Sequence, residues 1–182
     1  VPIALALTSV SQPLPELVDT LHRMAHNTDI NIVLNSAIAM GILAAGTQNS
    51  RTLNALKQLE TFHKSNPGAV MMFQISEGLC HLGQGLMTLS PTYGDSTLIH
   101  PVALGSLMTL AFASIHTDAL LVKGDPLLLY FVAPAIGPRY LVTLDEELNI
   151  LPLQVRVGNA IDVVGQAGKP RAITGFTTLP TP

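Results

Sequence analysis

The stretch Ala39-Met40-Gly41-Ile42-Leu43-Ala44-Ala45-Gly46-Thr47 decides how this chain is read, because it returns as Ser76-Glu77-Gly78-Leu79-Cys80-His81-Leu82-Gly83-Gln84. Gly41 and Gly46 are matched by Gly78 and Gly83, each shifted by 37 positions. A fixed period of this length marks a chain built from stacked units, none of which buries its apolar face alone. A weaker copy occupies residues 2–13, with Ala4, Leu5, Ala6 and Leu7 as its helix and Gln12-Pro13 at its end. A later one occupies residues 100–114, with Gly105 inside. Gly41 and Gly78 both fall within helical patterns, where Gly costs about 1 kcal/mol relative to Ala. Both are therefore predicted to admit a neighbouring helix backbone at close range.

Working outward, each unit is predicted to hold two helices of different character. Residues 32–45 are apolar nearly all round, so that helix should be covered on every side. The helix that follows is amphipathic: Leu53, Leu56, Leu59 and Phe62 form one stripe, while Arg51, Lys57, Glu60 and Lys64 face water. Leu17, Val18, Leu21 and Met24 make the same stripe one unit earlier. Helix starts are expected at Asp29, Asn66 and Asp125, whose oxygens can accept from free amides of the first turn. Gly46, Gly83 and Gly124 sit where helices should stop. The whole reads as mainly α, an α-solenoid of helical hairpins over residues 1–138. After Gly137 the period changes, and 139–144, 151–157, 161–164 and 172–176 are predicted strands. Residues 139–182 are expected to form a small, incomplete β module that closes after an unpaired strand.

Composition narrows the function. Charged residues make up 12% of the chain, where about 25% is usual for a soluble domain. Hydrophobic residues reach 48% with only 4% aromatic and no Trp, so the apolar mass is aliphatic and suited to close helix packing. So little charge predicts that much of the surface meets something other than water, as in a piece of a larger body. The opening Val1-Pro2-Ile3, without an initiator Met, is read the same way. Net charge is −3 and the longest basic cluster is Lys169-Pro170-Arg171, too little to track nucleic acid. One cysteine, Cys80, forms no internal disulfide framework and suits a reducing compartment. Residues 30–50 and 96–117 are uncharged and long enough to span a bilayer. Their Asn, Gln, His and Pro residues, with no flanking aromatic belt or Lys/Arg asymmetry, favour buried repeat helices instead.

The residues with chemical potential do not assemble a site. His22 and His26 stand one helical turn apart, the spacing that puts two imidazoles on one face, but no third zinc ligand accompanies them. Cys80 precedes His81 within an apolar helix, where a thiol is inert. Residues 158–169 end in Gly-Lys, yet Pro170 and strand-like residues follow in place of Ser or Thr and a helix, so a turn is the better reading than a phosphate loop. Asp145-Glu146-Glu147 reads as a solvated hairpin tip. No catalytic, cofactor-binding or metal-binding residue is assigned, no cofactor is expected, and the chain is expected not to be an enzyme.

Four stretches carry a resemblance to a known family: residues 1–7 (VPIALAL), 35–49 (NSAIAMGILAAGTQN), 134–148 (PAIGPRYLVTLDEEL) and 155–176 (VRVGNAIDVVGQAGKPRAITGF). The chain resembles, over essentially all of its length, the proteasome/cyclosome repeat proteins, the two largest non-ATPase subunits of the 26S proteasome regulatory particle, and in particular the C-terminal part of one of them. It departs from the family at Gln48-Asn49-Ser50-Arg51 and Gln84-Gly85, where Asn-Asn and Lys-Gly are usual. The resemblance implies a toroidal helical scaffold in the base of the regulatory particle, cytoplasmic and nuclear. Implied partners are the proteasomal ATPase subunits, with ubiquitin-like domains of shuttle receptors and a deubiquitinase held mainly by upstream repeats. It implies neither nucleic-acid nor membrane binding. The rival from the repeat pattern alone is a general HEAT- or armadillo-like adaptor, which gives no reason for the β tail.

Overall fold

The computed structural model describes residues 1–93, 97–116, 127–139, 143–157, 160–163, 171–174 and 177–181. Among these lie α1 (Pro2–Leu7), α2 (Pro15–Met24), α3 (Ile30–Leu43), α4 (Ser50–Phe62), α5 (Pro67–Cys80), α6 (Pro101–Ala113) and α7 (Leu127–Val132). The strands are β1 (Met87–Leu89), β2 (Ile136–Pro138), β3 (Gln154–Val157), β4 (Ala160–Val163), β5 (Arg171–Thr174) and β6 (Thr177–Pro180). The described chain is mainly helical, with short two-stranded sheets.

Helix starts follow from side-chain chemistry. Asp29 accepts from the Asn31 amide, Asn49 from Thr52 and Asn66 from Ala69, each satisfying an amide that has no partner within its helix. His100 does the same for α6, its Nδ1 accepting from the Ala103 amide at 3.2 Å. The expected cap Asp125 and stop Gly124 lie outside the described residues.

The core is centred on α3. Val33, Leu34 and every residue from Ser36 to Leu43 are buried, and the helix packs against α1, α2, α4 and α5. A helix apolar on all faces is stable only when covered on all faces, and here it is. Around it Val18, Leu21, Leu56 and Leu59 present the buried stripes of α2 and α4. Each such side chain contributes roughly 1.5–3 kcal/mol by leaving water. Phe62 is the exception: expected in the α4 stripe, it is 67% exposed. As the last residue of α4 it lies at the margin of the core and packs edge-on against His26 and His63.

The 37-residue spacing is present in the backbone as well. Ser11, Gln48 and Gly85, successively 37 apart, all hold positive φ (56°, 50° and 93°), and so do Gly46 and Gly83. The turns pin successive units together. The Ser11 amide donates to the Ile42 carbonyl at 3.1 Å, Gly46 to Leu79 at 2.9 Å and Gln48 to Cys80 at 3.1 Å. Those carbonyls lie in the last turns of α3 and α5, where the regular intrahelical ladder runs out. At Gly46 an added Cβ would fall on the Met87 carbonyl oxygen, so this turn needs glycine for both conformation and space.

The helix after α5 does not extend that row. α6 packs against α7 and α1, and the Asn35 side-chain amide donates to the Ser114 carbonyl at 3.3 Å. Between α5 and α6 lies β1, a strand that the sequence pattern does not predict. It pairs antiparallel with β2, Leu89 opposite Ile136. The strand predicted at 139–144 falls only in part on described residues, and of those only Leu144 makes a β-bridge. Residues 140–142 lie outside the described ones, β2 ends at Pro138, and Leu144 makes an isolated bridge with Ile150. The strand predicted at 151–157 begins only at Gln154, beyond Pro152, which has no amide to donate. β4 and β5 form an antiparallel pair, their connection lying outside the described residues. The unpaired final strand expected from sequence is corrected: β6 pairs with β3, and the Thr181 amide donates to the Leu153 carbonyl.

Candidate functional site

The side chains singled out by sequence are placed as follows. His22 and His26 contact one another edge to face on α2, ring centroids 5.0 Å apart. The contact continues through Phe62, the last residue of α4, and His63, its cap, to Phe73 on α5, a ladder of five rings running from the surface to the core. The His63 Nε2 lies 3.1 Å from the Ala25 carbonyl oxygen, and burial, aided by the neighbouring His26, lowers the His22 pKa. The ladder joins the ends of α2 and α4 and supplies no third ligand. Among the described residues no group of three His, Cys, Asp or Glu side chains is placed to hold a metal ion.

Cys80 is buried, and burial pushes its thiol up to about 12, so it is a thiol at neutral pH with no capacity as a nucleophile. Asp145 turns inward on its own loop, accepting from the amides of Glu147 and Asn149 at 2.9 and 2.8 Å. These bonds favour the carboxylate and lower its pKa. The acidic tip is thus a turn. Of residues 158–169 only 160–163, the strand β4, are described, and the Gly-Lys end lies outside the described residues.

The remaining features of the described residues are those of their surface. Ion pairs tie the outer helices: Arg51 to both carboxylate oxygens of Asp19 at 2.7 and 2.6 Å, and Lys57 to Glu77 at 3.4 Å. Gln74 on α5 donates to Glu60 on α4 at 3.0 Å. Beside that bond, a groove of about 530 Å³ is lined by Glu60, Thr61, Lys64, Pro67, Val70, Met71 and Gln74. α6 buries Ala103, Leu107, Leu110 and Ala113 on one face while Val102, Met108 and Phe112 stand exposed on the other. No charge occurs between Thr97 and His116. Arg139, half-buried, donates to the Gly46 carbonyl at 3.4 Å and to the Thr88 hydroxyl at 3.2 Å, clipping the β1–β2 ribbon to the turn after α3.

No family model matches the chain. Individual proteins do. The 26S proteasome regulatory subunit rpn1 of Schizosaccharomyces pombe is 41% identical over all 182 residues, and the 26S proteasome non-ATPase regulatory subunit 2 homolog A of Arabidopsis thaliana is 40% identical over the same span. The whole chain is related to 26S proteasome non-ATPase regulatory subunit 2. The subunit 2 protein of Dictyostelium discoideum, 38% identical over 182 residues, agrees. The chain spans 20% of the length of each of these relatives. The relation to subunit 2 was legible in the four quoted stretches. The β1–β2 ribbon and the Arg139 clip were not, since Met87–Leu89 is too short to carry a strand pattern.

Proposed function

We propose that this chain is a segment of a non-catalytic scaffold subunit in the base of the 26S proteasome regulatory particle. The observation that carries the reading is the relation to subunit 2 proteins across all 182 residues. Two features of the fold support it. The recurrence of caps, positive-φ turns and helix glycines at 37 residues fits a stack of helical hairpins, the α-solenoid of residues 1–138, with 139–182 as a separate β module. The aliphatic surface of α6 fits a body that sits among other chains. In this reading the partners are the proteasomal ATPase subunits. Ubiquitin-like domains of shuttle receptors and a deubiquitinase dock on the same subunit, mainly outside this segment, and its location is cytoplasmic and nuclear.

The test is affinity purification of the tagged protein, intact and with the segment 1–182 deleted, read by mass spectrometry. The scaffold role requires proteasomal ATPases to co-purify with the intact protein and to be lost on deletion. ATPases that stay bound while only soluble factors are lost would make the segment a recruitment surface instead. Absence of proteasomal subunits from the intact sample would sink the proposal.

A further inference from the structure

Leu144 and Ile150 bridge in antiparallel fashion, and the residues between them, Asp145-Glu146-Glu147-Leu148-Asn149, form a closed turn. The Asp145 amide donates to the Asn149 carbonyl at 3.0 Å, and the Leu148 amide to the Asp145 carbonyl at 3.1 Å. The Asp145 carboxylate braces the turn from within. One oxygen accepts from the Glu147 and Asn149 amides, the other from the Asn149 side chain at 3.2 Å. Each of these bonds uses the backbone, Asp145 or Asn149; none needs the side chain at position 148.

That position nevertheless holds a residue poorly suited to it. Leu148 has φ 67°, in the left-handed region where Gly or Asn sits at least cost and a bulky side chain is an outlier. Burial does not compensate, for Leu148 is 77% exposed. Leu144, Ile150, Leu151 and Leu153 are exposed beside it. Residues 140–155 contain Asp145, Glu146 and Glu147 and no Lys or Arg. Among the described residues neither Glu146 nor Glu147 forms an ion pair. A turn that carries strain to display an apolar side chain beside free carboxylates gains nothing for its own fold. Its use lies in what it meets.

The chemistry of the tip selects the occupant. A turn presents a convex knob, whose complement is a pocket. Covering Leu148 also desolvates the neighbouring carboxylates, which costs free energy unless basic groups meet them. A second copy packed tip to tip, an anionic lipid surface or a nucleic acid would each bring more negative charge to the contact. We propose that the 144–150 hairpin docks on a separate protein, inserting Leu148 into an apolar pocket whose rim carries Lys or Arg opposite Glu146 and Glu147. Asp145 and Asn149 shape the turn and leave the contact to their neighbours. The expectation of a protein partner rests on the scaffold reading above.

Leu148→Gly removes the knob and suits the backbone, so the turn should survive it. A photo-crosslinking amino acid at exposed Ile150, in the full-length protein made in its own cells, reads the contact, with the same probe at exposed Gln58 as control. The expected product is a crosslink to a separate protein, at an apolar pocket flanked by Lys or Arg. Leu148→Gly should cut that product to below about a tenth, the weight of one buried leucine side chain. Glu146→Lys with Glu147→Lys should weaken it in the same direction, and the abundance of the full-length protein should not change in either variant. Crosslinks confined to the same polypeptide or a second copy, or none above the Gln58 control, would overturn the docking site. So would a crosslink that survives Leu148→Gly, or a Leu148→Gly protein of lowered abundance, which would give the side chain a role in the fold itself. Proteasomal ATPases are scored in the same sample. Their presence without the crosslink would leave the scaffold role standing and the docking site refuted, whereas their absence from the parent protein would sink the scaffold role.

Discussion

α3 and α5 share a register, a capping residue type and a helix glycine, yet one is enclosed and the other keeps an open face. Ala37 and Ala44 in the first become Gln74 and His81 in the second. The polar side chains follow the exposure: Gln74 bonds Glu60, and His81 stands exposed. Gly78 does not follow it. The difference teaches that a repeat position carries two kinds of information. Side-chain polarity follows the cover present within this chain, whereas the glycine recurs both where a backbone needs its space, at Gly41, and where none does, at Gly78.

The comparison breaks most visibly at Gly41. Gly41→Leu forces a side chain into the Ser76 backbone and should cost about 3 kcal/mol, read as a lower urea midpoint. Gly78→Leu in the same 182-residue chain meets nothing and should raise the midpoint slightly through helix propensity. At Gly46, where φ is +66° and the Met87 carbonyl is in the way, Gly46→Ala should cost about 2 kcal/mol. The caps sharpen the picture on a smaller scale. Asn49→Ala should cost about 1–2 kcal/mol and Asn66→Ala about 1 kcal/mol. The larger loss falls at Asn49, which is buried and meets both the Thr52 amide and hydroxyl.

The smallest effect is that of pH. The His22 pKa is lowered in the fold, by burial first and by His26 second. The unfolded chain therefore binds more protons as pH falls through about 6.5, and stability declines from there downward. His22→Phe should flatten this part of the acid limb in unfolding measured between pH 7 and 5. An unchanged slope would show that the ring ladder is not proton-sensitive.

Much of this was legible in the sequence for a physical reason. Glycines and capping oxygens act locally, so Asp29, Asn66, Gly46 and Gly83 announce helix ends without knowledge of the rest. The 3.6-residue pattern gave α3 and α4, but not the exposure of Phe62, which depends on where the core ends. Strand limits were less legible. β1 and β6 are three and four residues long and exist through pairing with distant partners, which no local pattern encodes. Of the candidate groups, the pairing of His22 with His26 was legible from their four-residue spacing, whereas its continuation through Phe62 and His63 to Phe73 depends on how three helices pack. The open face of α5 becomes visible when two equivalent helices are seen in their different surroundings.

The most direct measurement compares the urea midpoints of Gly41→Ala and Gly78→Ala in this chain. A covered glycine and an open one should respond with opposite signs. Gly41→Ala is expected to destabilise by about 1–3 kcal/mol through the Ser76 contact. Gly78→Ala is expected to stabilise by up to about 1 kcal/mol through helix propensity. Shifts of the same sign would contradict the claim that one register position is occupied in α3 and vacant in α5.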